Sequence, residues 1–517
     1  MTLMLAMLML ASCSKKQGSC LIPDNAIYVL RLDMLKLLGS TGEKGDDDSS
    51  VKDQLKKLIK EAHLDEDASE KFMEIIDDPT SSGIDFTEPL YVYLAASSRE
   101  GLGGMEGGLV GSVDSKGNLA EVIEALEKVD DDVTLEEYDS DGVQYVMLGR
   151  KAALIFNGDW FYIGPVERGD DWEPNVDATI EMLLERADGK DNIEDNEAFK
   201  QMCEAKGVMQ MLFNGSGFEG LPGIEEAELQ LPEGCEFKDI AGFANFIINE
   251  GEVVVEGEAI LLSDAWKKQS EKIDYKTIEK SQAKYADADA DGALAIINID
   301  PKGLFDYVKT VCKNAGLSRG DLEKLDEMKP IVDALTGKGI VAINGLDEND
   351  EPKIVAYVGT RNSELLNEFV EERIENDNVI NVAPNRYNIP IDYDYEYNDS
   401  IGDWEMIATK FMQVGWKDSQ TYFLLNTDEE PFDTPRHSFA DVKGKGFYLR
   451  ISGELAGNLI GSVDYYLDRA GRACADLVDY AEAYMESPTK SIFRISMKKK
   501  DQSPIATFID YLKKHLM

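Results

Sequence analysis

The order of predicted elements along the 517 residues runs through twice, and this repetition constrains the fold more than any single motif. Ile22-Pro23-Asp24-Asn25 opens into AIYVLRL (26–32), a run rich in β-branched and aromatic residues that reads as a strand. Asp33 follows, placed to cap a helix that begins MLKLL. Further on, Asp291-Gly292 leads into ALAIINI (293–299), then Asp300, then Pro301 at the first helical position, then GLFDYV. In the first half a helix (51–62) precedes strands LYVYLA (90–95) and GLVGSV (108–113), and a helix (118–129) follows. In the second half a helix (321–335) precedes GIVAIN (339–344) and KIVAYVG (353–359), and a helix (363–374) follows. Strands 143–148, 152–156 and 160–163 have counterparts near 386–392 and 420–425, and VMQMLFN (208–214) matches GFYLRIS (446–452). The tails agree too: FKDIAGFANFII with VVVEGEAIL against CADLVDYAEAYM with SIFRISM.

Short polar turns join neighbouring strands, and amphipathic helices separate the groups. That pattern predicts an α+β fold: two tandem related units, each with an antiparallel or mixed sheet and packed helices. The boundaries read as 22–285 for unit one, with a polar connector helix in 263–285, and 286–517 for unit two.

The first residues read as an address. MTLMLAMLMLAS (1–12) is apolar and uncharged, too short to span a bilayer, and it fits the hydrophobic region of a secretory signal. It ends Leu10-Ala11-Ser12-Cys13, which resembles the lipobox of bacterial lipoproteins, with Cys13 as the lipidated residue and 13–21 as a tether. No basic residue precedes the apolar run, a departure from the usual signal. The lipobox, the IPDNA opening, the phrase SGIDFTEPLYVYL (82–94) and the element order together resemble a Bacteroidota lipoprotein family, the domain of unknown function 4836. That resemblance implies an exported protein, anchored by lipid in the outer membrane and facing the periplasm or the cell surface. It implies no activity and no site residues.

Charge narrows the partners. Lys and Arg number 53 against 100 Asp and Glu, a net charge of −47. Such a surface repels nucleic acid and anionic membrane surfaces, so no nucleic-acid partner is expected. Basic partners and cations remain compatible. Histidine is scarce, with only His63, His437 and His515, which leaves little material for a zinc centre or a Ser-His-Asp arrangement. With Cys13 lipidated, Cys20, Cys203, Cys235, Cys312 and Cys474 remain, and none forms a C-x-x-C pair.

Three local motifs carry candidate chemistry. Asp287, Asp289 and Asp291 alternate and end on Gly292, like the start of a calcium loop. The twelfth position, where a bidentate Glu is expected, is Asn298 within a predicted strand, so an acidic turn is the simpler expectation and a Ca2+ site the alternative. The run Asp392-Tyr393-Asp394-Tyr395-Glu396-Tyr397, followed by Asn398, Asp399 and Trp404, would alternate carboxylates and tyrosines on a strand. Paired carboxylates can hydrolyse glycosides and tyrosines can stack on sugars, but a half-buried strand with solvated acids and packed tyrosines is the simpler expectation. The glycine-rich loop 98–108 and Gly215-Ser216-Gly217 lack phosphate-loop and nucleophile-elbow spacing. The expectation is therefore a non-enzymatic binding or scaffolding module at the envelope, with an envelope protein or polysaccharide as partner. A calcium- or glycan-binding lipoprotein and a carboxylate-based hydrolase are the alternatives.

Overall fold

A computed structural model describes residues 17–40, 56–57, 59–60, 65–97, 104–129, 134–138, 142–168, 173–219, 221, 223–228, 231–272, 276–279, 292–314, 318–348, 351–364, 366–367, 370–371, 379–398, 403–427, 442, 444–463 and 468–516. The chain is α+β, and every strand pairing described is antiparallel. It divides into two compact units. The first takes residues up to Glu225 with Glu236–Asn249 and Ala259–Leu262. The second takes Glu226–Cys235, Glu250–Glu258 and Ser263–Met517.

The first unit is built on β1 (Ala26–Leu32), flanked by β2 (Leu90–Ala96) and, later in the chain, by Met209–Asn214. β3 (Met105–Ser112) pairs with β2. β4 (Leu135–Glu137), β5 (Gln144–Leu148), β6 (Ala152–Phe156) and β7 (Trp160–Pro165) form a meander that joins β3 through β7. A small ribbon of β8 (Glu167–Arg168) and β9 (Pro174–Asn175) follows. Met209–Asn214 is β10, and β11 (Ile240–Asn249) pairs with its free side. The sheet order is β4-β5-β6-β7-β3-β2-β1-β10-β11.

Helices pack on both faces of this sheet. Asp33 caps Met34–Gly39 by accepting from the Lys36 N–H at 3.1 Å. Ser115 caps Lys116–Glu127, which buries Leu119 and Ile123 one turn apart against Phe156 and Phe161. Asn175 caps Val176–Ala187, a helix not anticipated from the sequence, whose Ile180, Leu183 and Ala187 lie in the main core with Tyr91, Tyr93, Trp160 and Leu212. The core also takes in the turn Gly18–Leu21. Leu21 is 0% exposed, and the Gly18 N–H donates to Ser112 Oγ at 3.2 Å. The tether expected over 13–21 is thus corrected at its C-terminal end: Gln17 onward is part of the folded unit because apolar Cys20, Leu21 and Ile22 fill the core.

The second unit opens with β12 (Glu252–Leu261), whose residues Glu252–Glu258 belong to it. The segment 276–279 is extended, not the end of a connector helix. Ile278 is 1% exposed and exchanges backbone hydrogen bonds with Gly444 and Lys445. β13 (Ala293–Asn298) lies between β14 (Leu335–Leu346) and, further along the chain, Phe447–Ser452. β15 (Pro352–Thr360) pairs with β14. β16 (Ile380–Ala383), β17 (Arg386–Asn398), β18 (Asp403–Lys417) and β19 (Gln420–Leu425) form a meander that joins β15 through β19. Phe447–Ser452 is β20, followed by β21 (Val478–Ser487) and β22 (Lys490–Met497), and β22 pairs with β12. The order is β16-β17-β18-β19-β15-β14-β13-β20-β21-β22-β12. Asp300 caps the helix Pro301–Asn314 by accepting from the Gly303 N–H at 3.1 Å.

Candidate interaction surface

Cys13, the triplet Asp287, Asp289 and Asp291, His63, His437 and most of the loop 98–108 lie outside the described residues. Among the described residues no group of three His, Cys, Asp or Glu is arranged to hold a metal. Cys203, Cys312 and Cys474 carry free thiols, half-buried in helices. Burial pushes the Cys203 and Cys474 thiols up, which disfavours the nucleophilic thiolate.

The Asp/Tyr run lies on β17, as its alternation predicts. A bulge displaces the register between Pro390 and Tyr393, so the alternation breaks at Ile391 and Asp392. Asp392 Oδ1 accepts from the Tyr393 N–H at 2.9 Å, and Asp394 Oδ1 from the Tyr395 N–H at 2.8 Å. Each carboxylate is drawn to the backbone N–H of the residue after it. Tyr393 is half-buried, as expected of a packed tyrosine, whereas Tyr395 is 63% exposed and departs from that expectation.

Two buried ionic networks were not legible in the sequence. In the first unit, Arg186 Nη2 donates to Glu106 Oε1 at 2.6 Å, with both side chains buried. Burial pushes the neighbouring Tyr93 hydroxyl up; the Glu106 carboxylate adds to this and Arg186 opposes it. In the second unit, Glu482 accepts from Arg494 Nη1 at 2.6 Å and from the Tyr448 hydroxyl at 3.0 Å. Arg450 stacks 4.1 Å from the centroid of the Tyr480 ring, and Lys445 lies 3.5 Å from that of Tyr484. These groups neutralise one another, so they read as polar mortar within each sheet.

The feature left uncompensated is apolar. In β1, β2 and β10 the side chains on the face packed by the helix Val176–Ala187 are buried, among them Val29, Tyr93 and Leu212. The other face, packed further along the sheet by the helix Lys116–Glu127, carries over β2, β1 and β10 a grid fixed by register: Leu94–Tyr28–Phe213 in one row and Val92–Leu30–Met211 in the next. Tyr28, Val92, Leu94 and Met211 are 42%, 41%, 39% and 43% exposed. Tyr28 and Phe213 stack with centroids 5.6 Å apart. The second unit carries a comparable row, Val341–Ala295–Leu449–Ala483–Phe493–Val255, in which Val341, Leu449 and Phe493 are the most exposed. Single exposed apolar residues are ordinary, but contiguous ones in strand register mark interaction surfaces.

Residues 19–399 match the profile of the family described as Domain of unknown function (DUF4836), and the chain belongs to that family. No curated protein matches the sequence. Two solved structures, crystal forms IV and I of TP0453, are 11% and 12% identical to it, with TM-scores of 0.27 and 0.23. Each similarity covers 48% of this chain, and 82% and 78% of the respective TP0453 chains. Likeness at that level supports no structural or functional argument. No helix among the described residues is long and apolar enough to cross a membrane.

Proposed function

We propose that this member of the DUF4836 family is a non-enzymatic binding or scaffolding module, held at the cell envelope by a lipid on Cys13. The open apolar grid on β2, β1 and β10 carries the reading. A sheet face with aliphatic and aromatic residues in register, on a chain of net charge −47, suits a folded protein partner better than a polysaccharide. The lipobox-like Leu10–Cys13 supports anchoring in the outer membrane of a Bacteroidota-type envelope, facing the periplasm or the cell surface. We read the two units as tandem relatives, because the strand order β4 through β11 in the first is followed, strand for strand, by β16 through β21 in the second.

The test uses the full chain in its native cells. Metabolic labelling with a palmitate analogue should tag the protein and fail in Cys13→Ala. A photo-crosslinking residue substituted at Leu94 or Met211 should yield a discrete protein adduct. The same residue at Lys190, on the exposed polar surface after the helix Val176–Ala187, should not. Equal labelling at all three positions, or none, would remove the grid as a binding surface.

A further inference from the structure

The sheet of the second unit has an extension on which no other strand among the described residues pairs. β16 pairs with β17 only through Arg386, Tyr387 and Asn388, and β19 pairs with β18 only from Met412 to Lys417. Ile389 is buried under Leu366 and Val370, so the base is anchored. From Ile391 outward, β17 and β18 pair with each other alone among the described residues, through Asn398 and Asp403. A two-stranded ribbon is marginal in water unless something packs on it. Both of its faces carry exposed apolar side chains. Tyr395 and Met406 lie opposite each other at 63% and 51% exposure, and Ile407, opposite Asp394, lies on the other face at 40%.

The ribbon is also charged with one sign. Asp392, Asp394, Glu396, Asp403 and Glu405 stand at register positions on its two strands, and the sequence has no basic residue between Arg386 and Lys410. Lys410, opposite Asp392 at the base, is committed to an ion pair with Glu351. Neither Asp392 nor Asp394 has an ion-pair partner among the described residues. Acids on an exposed ribbon can serve only to block edge-to-edge aggregation. That role does not explain apolar side chains on both faces. A second copy is disfavoured by charge, since it would set this acidic ribbon against another chain of net charge −47.

We propose that this ribbon is a docking arm for a folded protein whose surface is apolar at its centre and rich in Lys and Arg around it. The arm is separate from the β2–β1–β10 grid, and the two surfaces stand or fall independently. The experiment places a photo-crosslinking residue at Tyr395 in the full chain in native cells and identifies the adduct by mass spectrometry. The expected result is one protein adduct whose crosslinked segment is rich in Lys and Arg. It is lost when envelopes are assayed at raised salt, in an Asp392→Lys/Asp394→Lys background and in a Met406→Ser/Ile407→Ser background, each keeping the parent melting temperature. Should the charge reversal fail to fold, Asp392→Asn/Asp394→Asn replaces it, with partial loss expected. No adduct, an adduct with lipid, polysaccharide or a second copy, an acidic partner segment, or an adduct that survives the Met406→Ser/Ile407→Ser change would overturn the proposal. Aggregation of the Asp→Asn variant with no dependence on the apolar residues would assign the acids to edge protection alone.

Discussion

Removing Glu106 should unfold the first unit far more readily than removing both members of its pair. Glu106 and Arg186 are joined at 2.6 Å with side chains 5% and 10% exposed, so Glu106→Ala strands a guanidinium in the core. Arg186 Nη1 already lies buried without a hydrogen-bond partner. Breaking such a pair from one side costs about 3–5 kcal/mol, whereas exchanging both partners for apolar residues is neutral or stabilises by about 1–4 kcal/mol. Against a domain stability of about 5–15 kcal/mol, the single change is large. With a urea dependence near 2 kcal/mol per molar, it lowers the midpoint by about 1.5–2.5 M. The assay is hydrogen exchange of β2 and β3 under rising urea, which isolates the first unit from the second. Glu106→Ala should lose protection early, and Glu106→Leu/Arg186→Met should recover it. A small midpoint shift for Glu106→Ala, or a double variant no better than the single, would refute the buried, desolvated pair.

Asp33→Ala and Asp300→Ala each delete a helix-cap acceptor and should cost about 1 kcal/mol in urea unfolding, while Asn at either position retains most of it. A methyl at Gly215 would sit 1.8 Å from the Phe237 carbonyl oxygen and 2.5 Å from that of Ile240, so Gly215→Ala should cost about 1–3 kcal/mol or more. Gly117, in the first turn of a helix with open space around it, is the contrast: Gly117→Ala should stabilise by about 0.5–1 kcal/mol in the same assay. Tyr145 donates to the Glu136 carboxylate, which pushes its phenol up to about 12. The folded state therefore holds this proton more tightly than the unfolded state, and the resulting stability is present below pH 10 and lost as pH rises towards 12. Phenolate absorbance should show this late step disappear in Tyr145→Phe and move to lower pH in Glu136→Gln.

The strands and caps were legible because their signals are local. AIYVLRL, AALIF and QTYFLL become β1, β6 and β19 with the bounds their apolar runs mark, and Asp33 and Asp300 cap as read. The helix Val176–Ala187 was missed although Asn175 and the spacing of Ile180, Leu183 and Ala187 announce it. β18 was missed because its polar first half, Asp403–Lys410, gains strand identity only by pairing with β17. The candidate surfaces were scarcely legible. Tyr28, Val92, Leu94 and Met211 are separated in sequence by up to most of a unit, and only antiparallel register sets them side by side. By itself, then, the sequence determined the α+β class, many of the strand runs and the caps at Asp33 and Asp300, since alternation and capping act over a few residues. Tertiary structure alone decided which parts of each sheet face are covered, that Glu106 meets Arg186, and that β17 and β18 run past their neighbours. Those outcomes depend on which strands lie side by side, a long-range choice that no local pattern encodes.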